Sequence, residues 1–163
     1  MQTLDRDEVS IHVDARPQDV YALVSDVTRT PEYSPEVVRC TWLDGATGPA
    51  VGARFEAVNK VPKRPAWKNR PVVTAAEPGR AFAFRRGDKI GGTIEWRYRM
   101  EPDGEGTRLT ESYEVIEPVS RLGWFIMGTL YGRKDRRGEL REGMRQTLER
   151  IAAVASQSRP THS

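Results

Sequence analysis

The sequence predicts an α+β fold in which a curved antiparallel sheet wraps around one long C-terminal helix. Three observations carry this expectation. From Val37 to Val115 the chain alternates with period two, interrupted by turns rich in Gly and Pro. Before that run, one strand is followed by two short helical segments. After Val119 the period becomes 3.6, with Leu140, Met144, Leu148, Ile151 and Ala155 on one stripe. The order is therefore strand, two helices, about six strands and one helix. Such a sheet has one apolar face to bury, and the long helix must cover it.

Each element follows from local chemistry. Val9, Ile11 and Val13 alternate with polar residues, so a first strand places them opposite His12. Pro17 suits the first helical position and Asp19 suits the positively polarised first turn. Val20, Leu23, Val24 and Val27 continue that helix as an apolar stripe. The Pro-rich stretch from Thr28 to Pro35 allows only a short second helical turn, which carries Tyr33. Strands are expected over 37–43, 53–61, 67–76, 80–86, 93–100 and 108–115. The clearest sets Ile94, Trp96, Tyr98 and Met100 against Thr93, Glu95, Arg97 and Arg99. Pro71 puts the register of its strand in question, because proline lacks the N–H a ladder needs.

The C-terminal helix, or a segment leading into it, is expected to begin near Ser120. Gly123, Gly128, Gly132, Gly138 and Gly143 weaken it by about 1 kcal/mol each relative to Ala. A bend is expected near Gly132. Residues 1–156 are read as one domain, with 157–163 as a frayed tail.

Composition narrows the class. Of 163 residues, 37% are hydrophobic and 30% charged, a balance that argues against both disorder and a membrane protein. The longest apolar stretch, Trp124 to Tyr131, is far short of the roughly 20 residues of a bilayer span. The opening residues carry no apolar signal region, and lone Cys40 leaves no internal disulfide, so a cytoplasmic location is expected. Lys and Arg number 26 against 23 Asp and Glu, and the run Arg133 to Arg141 mixes both signs. That pattern reads as a solvated helix face, and nucleic acid is not the expected partner. Monomer and homodimer both stay open.

Glu111 is the most informative residue. Leu109, Glu111, Tyr113 and Val115 share one face of their strand, while Thr110, Ser112 and Glu114 take the other. A carboxylate on a buried face must be paired, hydrated in a cavity or neutral, so it implies a polar feature or a hollow inside the protein. The same parity turns Phe55, Asn59, Trp67, Phe82, Phe84, Trp96, Tyr98 and Tyr113 inward. Tyr33, Trp124, Met127 and Tyr131 are placed to close the mouth from the helical side. The aromatics alone fit a packed core as well as a pocket. Asn59, Tyr98, Glu111 and Tyr113 fit a mostly apolar site with a few convergent polar groups. Extending the helical stripe back from Leu140 reaches Arg137 and Arg133, with Arg136 nearby. One of these could pair with Glu111, either as a purely structural salt bridge or as a ligand-polarising group.

No recognisable catalytic signature occurs. His12 points outward, His162 lies in the tail, and Cys40 has no neighbouring His. No metal-ligand cluster, phosphate loop or serine elbow is present, so no cofactor and no metal are expected. Any catalysis would be acid–base or positional, through Glu111, Tyr98, Tyr113 or an Arg, with the Glu111 pKa raised by its surroundings.

Several segments carry a resemblance: "DARPQDVYALVSDVTRTPEYSPEV", "VGARF", "EPGRAFAF", "GTRLTESYEV" and "YGRKDRRGELREGMRQTLERI". Over residues 7–155 the chain resembles the START-like helix-grip superfamily (SRPBCC), especially its bacterial polyketide cyclase/dehydrase and lipid-transport proteins. The resemblance implies a helix-grip fold with a deep cavity between sheet and helix. It implies binding of a hydrophobic small molecule such as a lipid, isoprenoid or aromatic polyketide. Two alternatives remain beside it: an aromatase/cyclase-like enzyme, and an interaction module associated with a ribosome, RNA or quinone.

Overall fold

The computed structural model describes residues 6–88, 92–117 and 136–157. Strand β1 (Arg6–Val13) is followed by helix α1 (Pro17–Ser25) and a 3-10 helix (Val27–Glu32). Seven strands follow: β2 (Val37–Trp42), β3 (Phe55–Asn59), β4 (Trp67–Asn69), β5 (Val72–Glu77), β6 (Ala81–Asp88), β7 (Gly92–Asp103) and β8 (Gly106–Glu117). Helix α2 spans Arg136–Gln157. This is the expected α+β arrangement, an antiparallel curved sheet gripping a C-terminal helix.

The strands pair in the order β1-β8-β7-β6-β5, with β2-β3-β4 as a second ladder. The two ladders meet where the Val73 N–H donates to the Ala53 carbonyl, the Gly52 N–H to the Val73 carbonyl and the Phe55 N–H to the Pro71 carbonyl. Pro71 divides the expected strand 67–76 into β4 and β5, which corrects that reading. A proline cannot donate to a ladder, but its carbonyl still accepts from the Phe55 N–H at 3.2 Å. The chain therefore changes partners at this point instead of ending the sheet.

Local signals position the helices. Pro17 sits at the start of α1 after the extended Arg16, whose guanidinium reaches Asp19 at 3.0 Å. The β7–β8 turn lies against the end of β1, where a Cβ on Gly106 would collide with the Val13 carbonyl oxygen. Next to it, the Thr107 hydroxyl donates to the Ala15 carbonyl at 2.6 Å.

Helix α2 packs on β1, α1 and β8. It buries Leu140, Met144, Leu148, Ile151 and Ala155, the stripe read from the sequence. Burying each large side chain contributes about 1.5–3 kcal/mol, which seats the helix in the sheet. The expected start near Ser120 and bend near Gly132 lie outside the described residues.

Candidate functional site

Glu111 lies on β8, a strand flanked on both sides. Its backbone is opposite Val9 of β1 and Tyr98 of β7. The side chain is only 6% exposed. The Tyr98 hydroxyl donates to Oε2 at 3.3 Å, long for a bond between two oxygens. Oε1 has no hydrogen-bond partner among the described residues. Burial pushes the Glu111 carboxyl up to about 8, and the Tyr98 bond only partly opposes this. At neutral pH the group is therefore mostly a neutral acid, able to donate a proton or a hydrogen bond. Arg133, and the side chains of Arg136 and Arg137, lie outside the described residues, so the expected pairing with Arg137 falls there too.

Glu111 and Tyr98 border a cavity of about 220 Å³ between the sheets and α2. Phe82 and Phe84 of β6 and Trp96 of β7 form one wall, and Phe55, Ala57 and Asn59 of β3 another. Leu140, Gly143, Met144 and Thr147 roof it from α2. The Phe55 and Phe84 rings pack edge to face, with centroids 5.4 Å apart at 79°. Asn59 is buried and its amide donates to the Ala57 carbonyl at 3.4 Å. Cys40 also lines the space, its thiol pushed up to about 11 by burial, so it stays protonated and acts as wall.

Tyr33 lines the cavity as a buried side chain, and desolvation holds its hydroxyl well above the ordinary tyrosine range. Two expectations need correction. Trp67 stands outside the lining and is 38% exposed, because β4 is a three-residue edge strand and Trp67 begins it. Tyr113 lies beneath α2 with Leu140 and Met144, outside the lining. Its ring packs against Trp96, its cross-strand partner, at 5.4 Å and so buttresses a wall residue from the side. Trp124, Met127 and Tyr131 lie outside the described residues. His12 faces away, its ring Nδ1 2.8 Å from Asp103.

Sequence reading overlooked Arg86. It follows Phe82 and Phe84 at even spacing on β6, so the parity that exposed Glu111 would also have found it. Arg86 lines the cavity with its guanidinium carbon 5.8 Å from the centroid of the Trp96 ring. Desolvation lowers its pKa, while exposed Glu36 at the cavity edge raises it.

The outer surface of α2 carries ion pairs both within the helix and to β1. Arg145 pairs with Glu142 and Glu149, and Arg141 reaches Asp7 at 2.7 Å. Among the described residues, no group of three His, Cys, Asp or Glu could hold a metal, and no helix is long and apolar enough to cross a membrane.

Comparison with known proteins agrees with this geometry. The family model for polyketide cyclase / dehydrase and lipid transport matches residues 6–156. The solution structure of the Polyketide_cyc-like protein Cgl2372 from Corynebacterium glutamicum is 38% identical, covering 93% of this chain and 85% of that one, with a TM-score of 0.51. The di-domain ARO/CYC StfQ from the steffimycin biosynthetic pathway is 20% identical, with a TM-score of 0.75. That match covers 93% of this chain and 50% of StfQ, so the chain spans half the length of that relative. Ginseng major latex-like protein 151 from Panax ginseng shares the fold at 14% identity and a TM-score of 0.67, covering 92% of this chain and 96% of that one. No curated protein matches.

Proposed function

The chain belongs to the polyketide cyclase/dehydrase and lipid-transport family, and on that premise we propose that it binds a hydrophobic or amphipathic small molecule between its sheet and α2. The observation that carries this reading is the 220 Å³ cavity, with aromatic walls and a few polar groups. An apolar cavity of about 150 Å³ already takes up benzene, so this larger space admits an aromatic body of more than one ring or a short alkyl chain. Glu111 and Tyr98 are suited to meet a carbonyl or hydroxyl on the guest. Short-chain lipids, small isoprenoids and aromatic polyketides of few rings meet these terms.

Titration with the neutral fluorophore N-phenyl-1-naphthylamine tests the reading. We expect saturable one-to-one binding in the wild type and its loss in Gly143→Leu, because Gly143 lines the cavity with open space where a side chain would project. Failure to saturate, or equal binding by Gly143→Leu, would count against it.

One observation favours a second reading, a cyclase- or dehydrase-like enzyme. Glu111, kept largely protonated at pH 7, has the properties of a general acid within reach of the guest. On this reading Glu111→Gln abolishes product formation from a reactive polyketide substrate and leaves N-phenyl-1-naphthylamine binding intact. Undiminished turnover by that variant would remove Glu111 from the chemistry.

A further inference from the structure

We infer that the cavity selects organic anions: its guest carries an apolar body and a carboxylate or ionised enolate that Arg86 receives at the cavity edge. This rests on the small-molecule reading above and narrows its ligand class.

The argument begins with adjacent residues on β6. Arg85 points outward and meets Glu95 at 3.1 Å. Arg86 points inward, half-buried, and lines the cavity with Phe84 and Trp96. A guanidinium presents five N–H donors and cannot shed its charge in a protein, so burial without acceptors is costly. Among the described residues Arg86 has no hydrogen bond and no ion pair; its contact is with the face of the Trp96 ring. That contact compensates only part of the lost hydration, since a cation over an aromatic ring gains about 0.5–2 kcal/mol. Two further acids line the cavity, Glu36, which acts on Arg86 electrostatically, and Glu139 of α2; both are exposed to water, and neither forms an ion pair with Arg86. The ring holds the planar fork in place and leaves its donor edges for a guest.

The opposite end of the space completes the pattern. Glu111 faces Tyr98, Tyr98 faces Phe82, and Arg86 lies further along β6, which places the Arg86 and Glu111 Cα atoms roughly 16 Å apart. A neutral carboxyl and a cation thus terminate one aromatic-walled cavity. The guest that satisfies both has an anionic group at one end and a neutral hydrogen-bonding oxygen at the other. A bidentate guanidinium–carboxylate pair in a desolvated site is among the stronger polar contacts available.

Two probes of almost the same shape isolate the charge: N-phenyl-1-naphthylamine, and 1-anilinonaphthalene-8-sulfonate, which adds a sulfonate to the same rings. In the wild type the anion should bind at least roughly tenfold more tightly at moderate salt. Arg86→Met, which keeps the apolar stem, should remove that preference and leave the affinity of the neutral probe within about twofold. The wild-type ranking alone decides the matter if the variant fails to fold. Equal affinities in the wild type, or a preference that survives in folded Arg86→Met, overturns the anion inference and leaves the small-molecule reading standing. Failure of both probes to bind overturns both.

Discussion

Arg85 and Arg86 are neighbours on one strand, yet they meet opposite surroundings. On the outer face, Glu95 accepts from Thr74 at 2.9 Å and Arg85 at 3.1 Å, with Arg97 3.7 Å away. On the inner face, Arg86 and Glu111 lie at the cavity with no ion partner among the described residues. The titration behaviour follows. Burial alone would raise the Glu95 carboxyl, but Thr74, Arg85 and Arg97 together hold it below its ordinary value. For Glu111, burial dominates and the carboxyl rises. Polar groups that satisfy one another hold a structure together. Ionisable groups left without an ion partner beside aromatic walls are what the small-molecule reading proposed above builds on.

The largest expected difference between the faces is in stability. Phe82 is 1% exposed in the inner wall, and Phe82→Ala should cost about 3–5 kcal/mol in urea denaturation. A loss of less than about 1 kcal/mol at this position would mean that the inner wall already yields around empty space.

The second difference lies in pH dependence, where the two carboxyls have opposite signs. Folded Glu111 holds a proton that the unfolded chain releases near its ordinary value of 4.5. Its favourable contribution is therefore complete below that pH and is lost as pH rises towards about 8, by on the order of a few kcal/mol. Glu95, depressed in the fold, acts in reverse: its contribution is present above the ordinary carboxylate range and is lost as pH falls through its folded value. Denaturation midpoints of Glu111→Gln should flatten between pH 4.5 and 8 while the acid limb stays unchanged. Parallel profiles for wild type and variant would show that Glu111 is ionised throughout.

A smaller effect separates packing from purpose. Gly143 is helical and a Cβ there meets nothing within 4 Å, so Gly143→Ala should stabilise the protein by about 1 kcal/mol. Thermal melting checks this, and a loss of stability would mean that the glycine is required by its neighbours. The smallest effect belongs to the outer face: Arg97→Ala should cost less than about 1 kcal/mol, as partly exposed ion pairs do, with binding of either probe unchanged.

Much of this arrangement was legible in the sequence because period and parity are local. Glu111 among Leu109 and Tyr113 announced a buried acid, and Leu148 and Ile151 announced the seat of α2. What escaped depends on where strands end and what lies across from them. Trp67 has the inward parity of Asn69, which lines the cavity, yet it opens a short edge strand and so reaches solvent. Tyr113 obeys the alternation but sits beyond the hollow under α2, a distinction that periodicity does not encode. Pro71 was visible as a break, while its carbonyl bridging two ladders required the third dimension. Arg86 was readable by the rule applied to Glu111; a charge at a strand's end resembled the turn that follows.

Nuclear Overhauser contacts between bound N-phenyl-1-naphthylamine and the protein address the small-molecule reading most directly. Contacts from the probe rings to the Met144 methyl and to the Phe84 and Trp96 rings, with none to exposed Val38 or Val51, are the expected result. Contacts confined to those exposed residues, with the Met144, Phe84 and Trp96 signals unmoved at saturation, would contradict it.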